Sequence, residues 1–528
     1  MKPVMNIALI MALLLTLTPY GAAESTQPEA TVINITDELV TVDGAPAGTD
    51  ASAAVYTAND IVYYESGMDF TYGEGSEEDA HTAEEAAAHT VIHITEPGAY
   101  SLSGSLSKGQ IAVDLGEDAK ENPEAVVTLM LNGLDITCEV APAVIFYNVY
   151  ECGDDDTENA GPEVDTTAAG ANVVICDGTI NNVSGAYVAR IYKPDSVVLS
   201  DDGTEVEDAD KLHKYDGAFY SKRSMNISGG AENTGVLNIN ATNEGLDSEM
   251  HLTINGGNIN IFSGNDGINT NEDGVSVTTI NGGALNINVN GATGEGDGID
   301  SNGWLVINGG TVIAEACAFS GDAGIDSDMG IHIIGGNVIA TGNMLDMIEA
   351  GGQNYAVFNF SQNITADPEI RLVDAEQNTF MSHAAKNAFS ILIYSSPDLA
   401  AGTYSLYNGD IQLEGQSGGM LGGMGRRGMM DNKEMPEDFE FPENGEMPEG
   451  FERPENGEWP EIPEGFERPE NGERPEIPEG FERPENGEMP DRPGMQMPGG
   501  RMAGSGELSA EFQITDGGSM FAGIAPVE

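Results

Sequence analysis

The stretch Thr253-Ile254-Asn255-Gly256-Gly257-Asn258-Ile259-Asn260-Ile261 carries the reading of the fold. From Asn258 onward, polar and apolar residues alternate with period two, the pattern of a strand with one face buried and one face in water. The Gly-Gly ahead of it marks a tight turn. Outward from this stretch the same unit recurs. Ile-x-Gly-Gly stands at Ile227, Ile254, Ile280, Ile307 and Ile333, in steps of 27, 26, 27 and 26 residues, and Leu285-Asn286-Ile287-Asn288-Val289 repeats the alternation. Near-equal steps of this size are the signature of a solenoid in which each repeat is one supersecondary unit. No segment here has a 3.6-residue period, which excludes helical repeats, and the leucine framework of a leucine-rich repeat is missing. The expected fold is all-β, a right-handed parallel β-helix, its chain extended by a Pro/Glu-rich insertion without a core.

Each coil holds a second motif: Gly245-Leu246-Asp247-Ser248, Asp266-Gly267-Ile268-Asn269-Thr270, Asp297-Gly298-Ile299-Asp300-Ser301 and Gly324-Ile325-Asp326-Ser327. The apolar residue is expected to point inward and the Gly to permit a sharp corner. Asp216-Gly217-Ala218 and Met347-Ile348-Glu349 read as decayed copies. Leu131-Asn132-Gly133 and Ile175-Cys176-Asp177-Gly178 suggest earlier coils, separated by an acidic, loop-like stretch from Gly153 to Gly170.

Charge decides what the chain binds. Asp and Glu number 88 against 20 Lys and Arg, a net charge of −68. A nucleic-acid partner is excluded, because such binding rests on basic side chains neutralising phosphates; an anionic membrane surface has nothing here to hold. Between Ser224 and Ile370 there are 18 acidic residues and no Lys or Arg. Equivalent residues of successive coils stack about 4.8 Å apart. Carboxylates that close repel by several kcal/mol at an effective dielectric of about 20. They must therefore face water, take up protons or share a metal. Calcium, with 6–8 flexible oxygen ligands, is the expected cofactor. The expected ligands are Asp247, Asp266, Asn269, Asp297, Asp300, Asp326 and Asp328, with Asp322 and Asp273 behind them; a merely solvated acidic edge is the alternative. The nonapeptide period of calcium-binding β-rolls is absent, and Asn269–Gly274 lacks the Glu six residues after its Gly that an EF-hand needs.

These motifs, together with Pro97-Gly98-Ala99-Tyr100-Ser101-Leu102-Ser103-Gly104-Ser105-Leu106 and Val127-Thr128-Leu129-Met130-Leu131-Asn132-Gly133-Leu134-Asp135-Ile136, give the chain a resemblance to a family of secreted bacterial carbohydrate-binding β-helix proteins first described in clostridia. It covers roughly residues 89–342, more loosely 31–415. The resemblance implies a pectate-lyase-like β-helix that holds calcium and binds polysaccharide, pectic chains included, without established catalysis. The chain departs from the family in its insertion near 149–170 and in its acidic tail.

Catalysis finds little support. Lyases of this fold use Lys or Arg to abstract a proton beside a uronate carboxylate, and only Lys222 and Arg223 flank the repeat core. Sugar contacts are expected from Trp304, three residues before Ile307 and so on the outward face, and from the outward Asn258, Asn260, Asn286 and Asn288. For Trp304 the alternative is burial under the C-terminal strands; for the asparagines it is a solvated face or a stacked ladder. Ile313 and Ile339 also alternate outward, so something is expected to pack over the last coils.

The expected layout is a signal peptide over 1–23 (Lys2, then the apolar run Ile7–Leu17, then Gly21-Ala22-Ala23), N-terminal lead-in strands with an acidic loop over 24–88, the β-helix body over 89–415, a disordered Gly/Met/Pro/Glu-rich insertion over 416–506, and a C-terminal strand within 507–528 returning to the body. The insertion repeats every 15 residues at Pro448, Pro463 and Pro478 and holds 13 of the 25 prolines. Cys138, Cys152, Cys176 and Cys317 lack metal-type spacing; one disulfide or buried free thiols are both open. The expectation is a secreted, extracellular, calcium-dependent and non-catalytic carbohydrate-binding protein that recognises cell-wall or pectin-like polysaccharide, pectic or cellulosic, cell-surface associated or free, with no membrane insertion after signal cleavage. The alternatives are a calcium-dependent uronate polysaccharide lyase with Lys222 or Arg223 as base, and a cell-surface structural or adhesion protein.

Overall fold

The computed structural model describes residues 30–365, 369–419, 503–504 and 506–527. The expected signal segment and nearly all of the Pro/Glu-rich insertion, residues 420–502, lie outside the described residues. What is described belongs to one compact unit.

The protein is mostly β, with long parallel sheets. Every Ile-x-Gly-Gly unit contributes a strand before and a strand after its glycines. Strands Met225–Gly229, Leu252–Ile254, Val277–Ile280, Trp304–Ile307 and Gly330–Ile333 pair in parallel, Ile227 against Ile254, Ile254 against Ile280, Ile280 against Ile307 and Ile307 against Ile333. After the turn, Asn258–Ser263, Ala284–Val289, Thr311–Glu315 and Asn337–Gly342 do the same. From the second unit on, the second Gly of each pair adopts a left-handed φ: 95° at Gly257, 87° at Gly283, 84° at Gly310 and 85° at Gly336. A side chain there would strain the backbone, so the glycines set the corner and with it the register.

The register places like on like. Ile254, Ile280, Ile307 and Ile333 are at most 1 % exposed, as are Ile259, Leu285, Val312 and Val338. Each such side chain contributes on the order of 1.5–3 kcal/mol by leaving water. The outward residues between them also stack. Asn238 donates to Asn182, Asn260 to Asn238 and Asn286 to Asn260, at 2.9, 2.9 and 3.1 Å, an amide ladder four rungs long. Asn286→Ala should therefore cost about 1 kcal/mol, the net worth of such a bond, read as a modest drop in melting temperature.

Ile339 packs, as expected, against a second core that closes the C-terminal end. Its rings include Phe358, Phe389, Phe512 and Phe521, with Phe358 stacked on Phe521 at 5.4 Å and edge-on to Phe512 at 5.5 Å. Phe389–Ser395 lies antiparallel to Asn337–Gly342 and Tyr355–Ile364, and Gly402–Asn408 lies antiparallel to Ile370–Asp374 and Phe512–Ile514. Phe512–Ile514 pairs with residues 402–404, and the chain continues into a longer strand, Gly518–Pro526, parallel to Tyr355–Ile364. And strand Ile411–Gly419 runs into the expected insertion, with Gly418 and Gly419 paired to Gly504 and Ala503, so the strand partner lies past the Pro-rich composition that suggested the boundary. All four cysteines are free thiols, with Cys138 and Cys317 buried.

Candidate functional site

The second motif forms an 8-stranded sheet that ends on Gly217–Ser221, Glu244–Ser248, Ile268–Thr270 and Ile299–Ser301, parallel in that order. Leu246, Ile268, Ile299 and Ile325 point inward with no exposed surface. Their neighbours stack outward: Tyr220 pairs with Asp247, Asp247 with Asn269 and Asn269 with Asp300. Asp326 follows, its preceding rung fixed by its N–H donating to Ile299 O at 2.7 Å. Three residues earlier on each rung runs a second acidic column, Glu244, Asp266 and Asp297, held by Gly245 N–H to Asp266 O and Gly267 N–H to Asp297 O, both 3.0 Å. The glycine between the columns is required by close approach: a Cβ on Gly267 would lie 2.5 Å from Gly298 O.

The two columns differ in what they touch. The earlier one clamps backbone. Asp266 Oδ1 accepts the Asp297 N–H at 2.6 Å, Asp297 Oδ1 accepts from Ala323 N–H, and Asp322 Oδ2 accepts from Gly296 N–H at 2.6 Å. Between the columns, Asn269 Nδ2 donates to Glu244 Oε1 at 3.2 Å and Asn271 Nδ2 to Asp247 Oδ1 at 2.6 Å. That leaves Glu244 Oε2, Asp247 Oδ2 and Asn269 Oδ1 buried without a partner. Asp247 has no exposed surface and Glu244 5 %. An unpartnered buried oxygen is costly.

Burial is the leading cause that pushes these carboxyls up, and neighbouring acids add to it. Asp247 and Glu244 stand well above the usual carboxylate range, with Asp216 raising both further. Asp266 and Asp300 are pushed up to about 7 and Asp326 to about 8; Asp297 and Asp346 are raised as well.

The sequence window without Lys or Arg does not mean a column without cations. The fold brings Arg190 to within 2.8 Å of Asp216 and Lys214 to 3.9 Å from Glu249, both beside Asp247. Further along, among the described residues, no Lys or Arg pairs with Asp266, Asp297, Asp300, Asp326 or Asp346. Sequence reading missed Asp216, Glu244, Glu249 and Asp346. Glu244 was within reach, since Glu244-Gly245-Leu246-Asp247 repeats Asp-Gly-Ile-Asp with one acid exchanged.

The donor set suits a hard cation: carboxylate and amide oxygens, three of them buried and unused. Among the described residues, no three His, Cys, Asp or Glu side chains converge as ready ligands. An ion held here would gather Glu244, Asp247 and Asn269 by side-chain rotation, with Asp300 and Asp326 on the following rungs. Asp328 sits exposed at the end of the column and Asp273 is exposed and bonded to Asn302 Nδ2 at 3.0 Å.

The expected sugar contacts lie elsewhere. Trp304 keeps the outward face but is 9 % exposed, packed with Val277 and Val306 under Ala160 and Val164. Its cover is the 149–170 insertion and not the C-terminal strands, and a ring so covered offers no stacking platform. Asn260 and Asn286 are spent largely on the ladder; Asn258 Nδ2 donates to Asn233 O and Gly235 O, both 3.0 Å; Asn288 is buried with Nδ2 unpartnered.

The same insertion builds a groove of about 1030 Å³. Its floor is the outward face of the first strand set, where Asn226, Thr253, Thr279, Val306 and His332 stand in one register. Beside them Asn281 Nδ2 donates to Asn255 Oδ1 and Asn308 Nδ2 to Asn281 Oδ1, both at 2.9 Å. Residues 162–167 form a wall, pinned where Thr166 Oγ1 donates to Asn226 Oδ1 at 2.8 Å and Asn226 Nδ2 donates to Thr166 O at 2.7 Å. The Asn of each Asn-Gly-Gly was visible in the sequence, but nothing there showed that a distant loop would roof it.

Parallel strands in register, with polar outer faces and a walled groove, define a mostly β protein with long parallel sheets. The chain belongs to the carbohydrate-binding domain-containing protein family, whose family model matches residues 88–160 and 158–391. A carbohydrate-binding domain-containing protein of Acetivibrio thermocellus is 28 % identical over 171 residues, 32 % of this chain and 44 % of that relative, so the match spans less than half of the relative's length. A solved structure described as the polysaccharide lyase-like protein from C. thermocellum, gadolinium derivative, aligns with 19 % identity over 61 % of this chain and 92 % of that chain, with a TM-score of 0.32.

Proposed function

We propose that the protein is a secreted, non-catalytic polysaccharide-binding protein whose rungs are turns of a right-handed parallel β-helix and whose acidic columns hold calcium. The 26- and 27-residue steps and the parallel register support the helix. Lys2 and the apolar run Ile7–Leu17 support export. The observation that carries the calcium reading is the set of buried, unpartnered oxygens on Glu244, Asp247 and Asn269. With net charge −68, a pectic chain approaches only where a divalent ion bridges carboxylate to uronate.

Affinity gels carrying polygalacturonate, cellulose or mannan, run with calcium and with EGTA, test the reading. Retardation on at least one polymer is expected, and calcium-dependent retardation on polygalacturonate. Free migration on all three refutes carbohydrate binding. Formation of an ultraviolet-absorbing unsaturated product from polygalacturonate refutes the non-catalytic assignment.

A further inference from the structure

The groove under residues 162–167 shares no strand with the acidic columns, and its chemistry differs from theirs. We propose that it binds a single uncharged polysaccharide chain, laid along the stacking direction, independently of the acidic columns; the inference rests on the carbohydrate-binding reading above.

Three observations carry it. First, the floor repeats. Rungs lie about 4.8 Å apart, so the exposed lining positions Asn255, Asn281, Asn308 and Ile334 on successive rungs span roughly 14 Å, a length suited to a few linked sugar rings. Second, the floor is neutral and double-natured. Asn281 spends one N–H and one lone pair on its neighbours, Asn255 one lone pair and Asn308 one N–H, and an Asn side chain has two of each. Asn255, Asn281 and Asn308 are exposed and so present at least one donor and one acceptor per rung. Sugar hydroxyls, which donate and accept at once, match that pattern. The half-exposed Ile334 supplies apolar surface for the carbon face of a ring at one end. Third, the groove rejects anions. No Lys or Arg lines it, and its rim carries Glu163 and Asp165. A uronate chain would lie beside fixed negative charge with no cation to offset it, whereas a neutral chain meets no such cost. The wall is bonded through Thr166 to both Asn226 and Thr253, the latter at 2.7 Å, so the groove is preformed.

Titration calorimetry of the full chain in calcium tests this with four probes: hexamers of cellulose, xylan and mannan, and hexagalacturonate. At least one neutral hexamer is expected to bind, and Asn281→Ala with Asn308→Ala to weaken it at least tenfold. Asn308→Asp, nearly isosteric at an exposed position, should weaken it at least fivefold and serves if the double variant fails to melt cooperatively. Neutral binding unchanged in these variants overturns the groove assignment and leaves the carbohydrate-binding reading intact. Binding of hexagalacturonate alone overturns the neutral specificity. If no hexamer binds and no polymer retards the protein, both readings fall together.

Discussion

At pH 8, removing calcium with EGTA is expected to lower the melting temperature by several degrees, while at pH 5 the same chelation leaves the melt nearly unchanged. The sign follows from the carboxyls. In the folded protein Asp266 and Asp300 titrate at about 7 and Asp326 at about 8, whereas an unfolded Asp titrates at about 3.9. Between these limits the folded state binds more protons than the unfolded state, so metal-free stability is full below about pH 4 and is lost as pH rises through the folded values. For Asp300 the groups that drive the shift, after burial itself, are Asp266, Asp328 and Asp346, all acids. At pH 5 protons neutralise the column and an ion has little left to do. At pH 8 Asp266 and Asp300 have lost most of their protons and Asp326 part of its own, and an ion is expected to replace them. A ligand bound only by the folded state adds about 4 kcal/mol at a thousandfold excess over its Kd. Thermal scans at the two pH values, with and without EGTA, check this. An unchanged melt at pH 8 would remove calcium from the account.

Asp300→Asn should raise the stability of the calcium-free protein at pH 8. The amide keeps the shape and discards the charge. The upper limit is the free energy of the whole shift, from 3.8 to about 7, or about 4 kcal/mol. Asp247→Asn should act in the same direction, since its Oδ2 is buried and unpartnered. In saturating calcium each substitution should lose part of that gain, because a ligand oxygen is lost or weakened. Denaturant unfolding in the four combinations of variant and metal measures the coupling. Equal destabilisation of Asp300→Asn with and without calcium would show that the carboxylate serves packing and not a cation.

How much of this was legible beforehand differs from residue to residue. Leu246, Ile268, Ile299 and Ile325 were recognisable as inward from the motif alone, because a parallel rung repeats its in–out pattern wherever the turn geometry repeats. Asp247, Asn269 and Asp300 stacking in one column followed from the same arithmetic. Trp304 shows the limit: alternation assigned its face correctly, but a face says nothing about what lies over it, and Ala160 and Val164 come from more than 130 residues away. Arg190 and Lys214 were invisible for the same reason, as they reach the column from a loop that breaks the repeat.

The sequence by itself determined the rung: its length, its Gly corner, its inward Ile and Leu, and the acids and amides that recur at fixed places on it. These are local properties, written in periods of 2 and about 26, and stacking copies them from coil to coil. Only the tertiary structure decided which outward face was covered, which acids met a cation, how the strands from Tyr355 to Pro526 paired to close the end, and that the 149–170 insertion walls a groove. Those outcomes depend on contacts between segments with no shared period, where packing and hydrogen bonding across long separations choose the partner and composition does not.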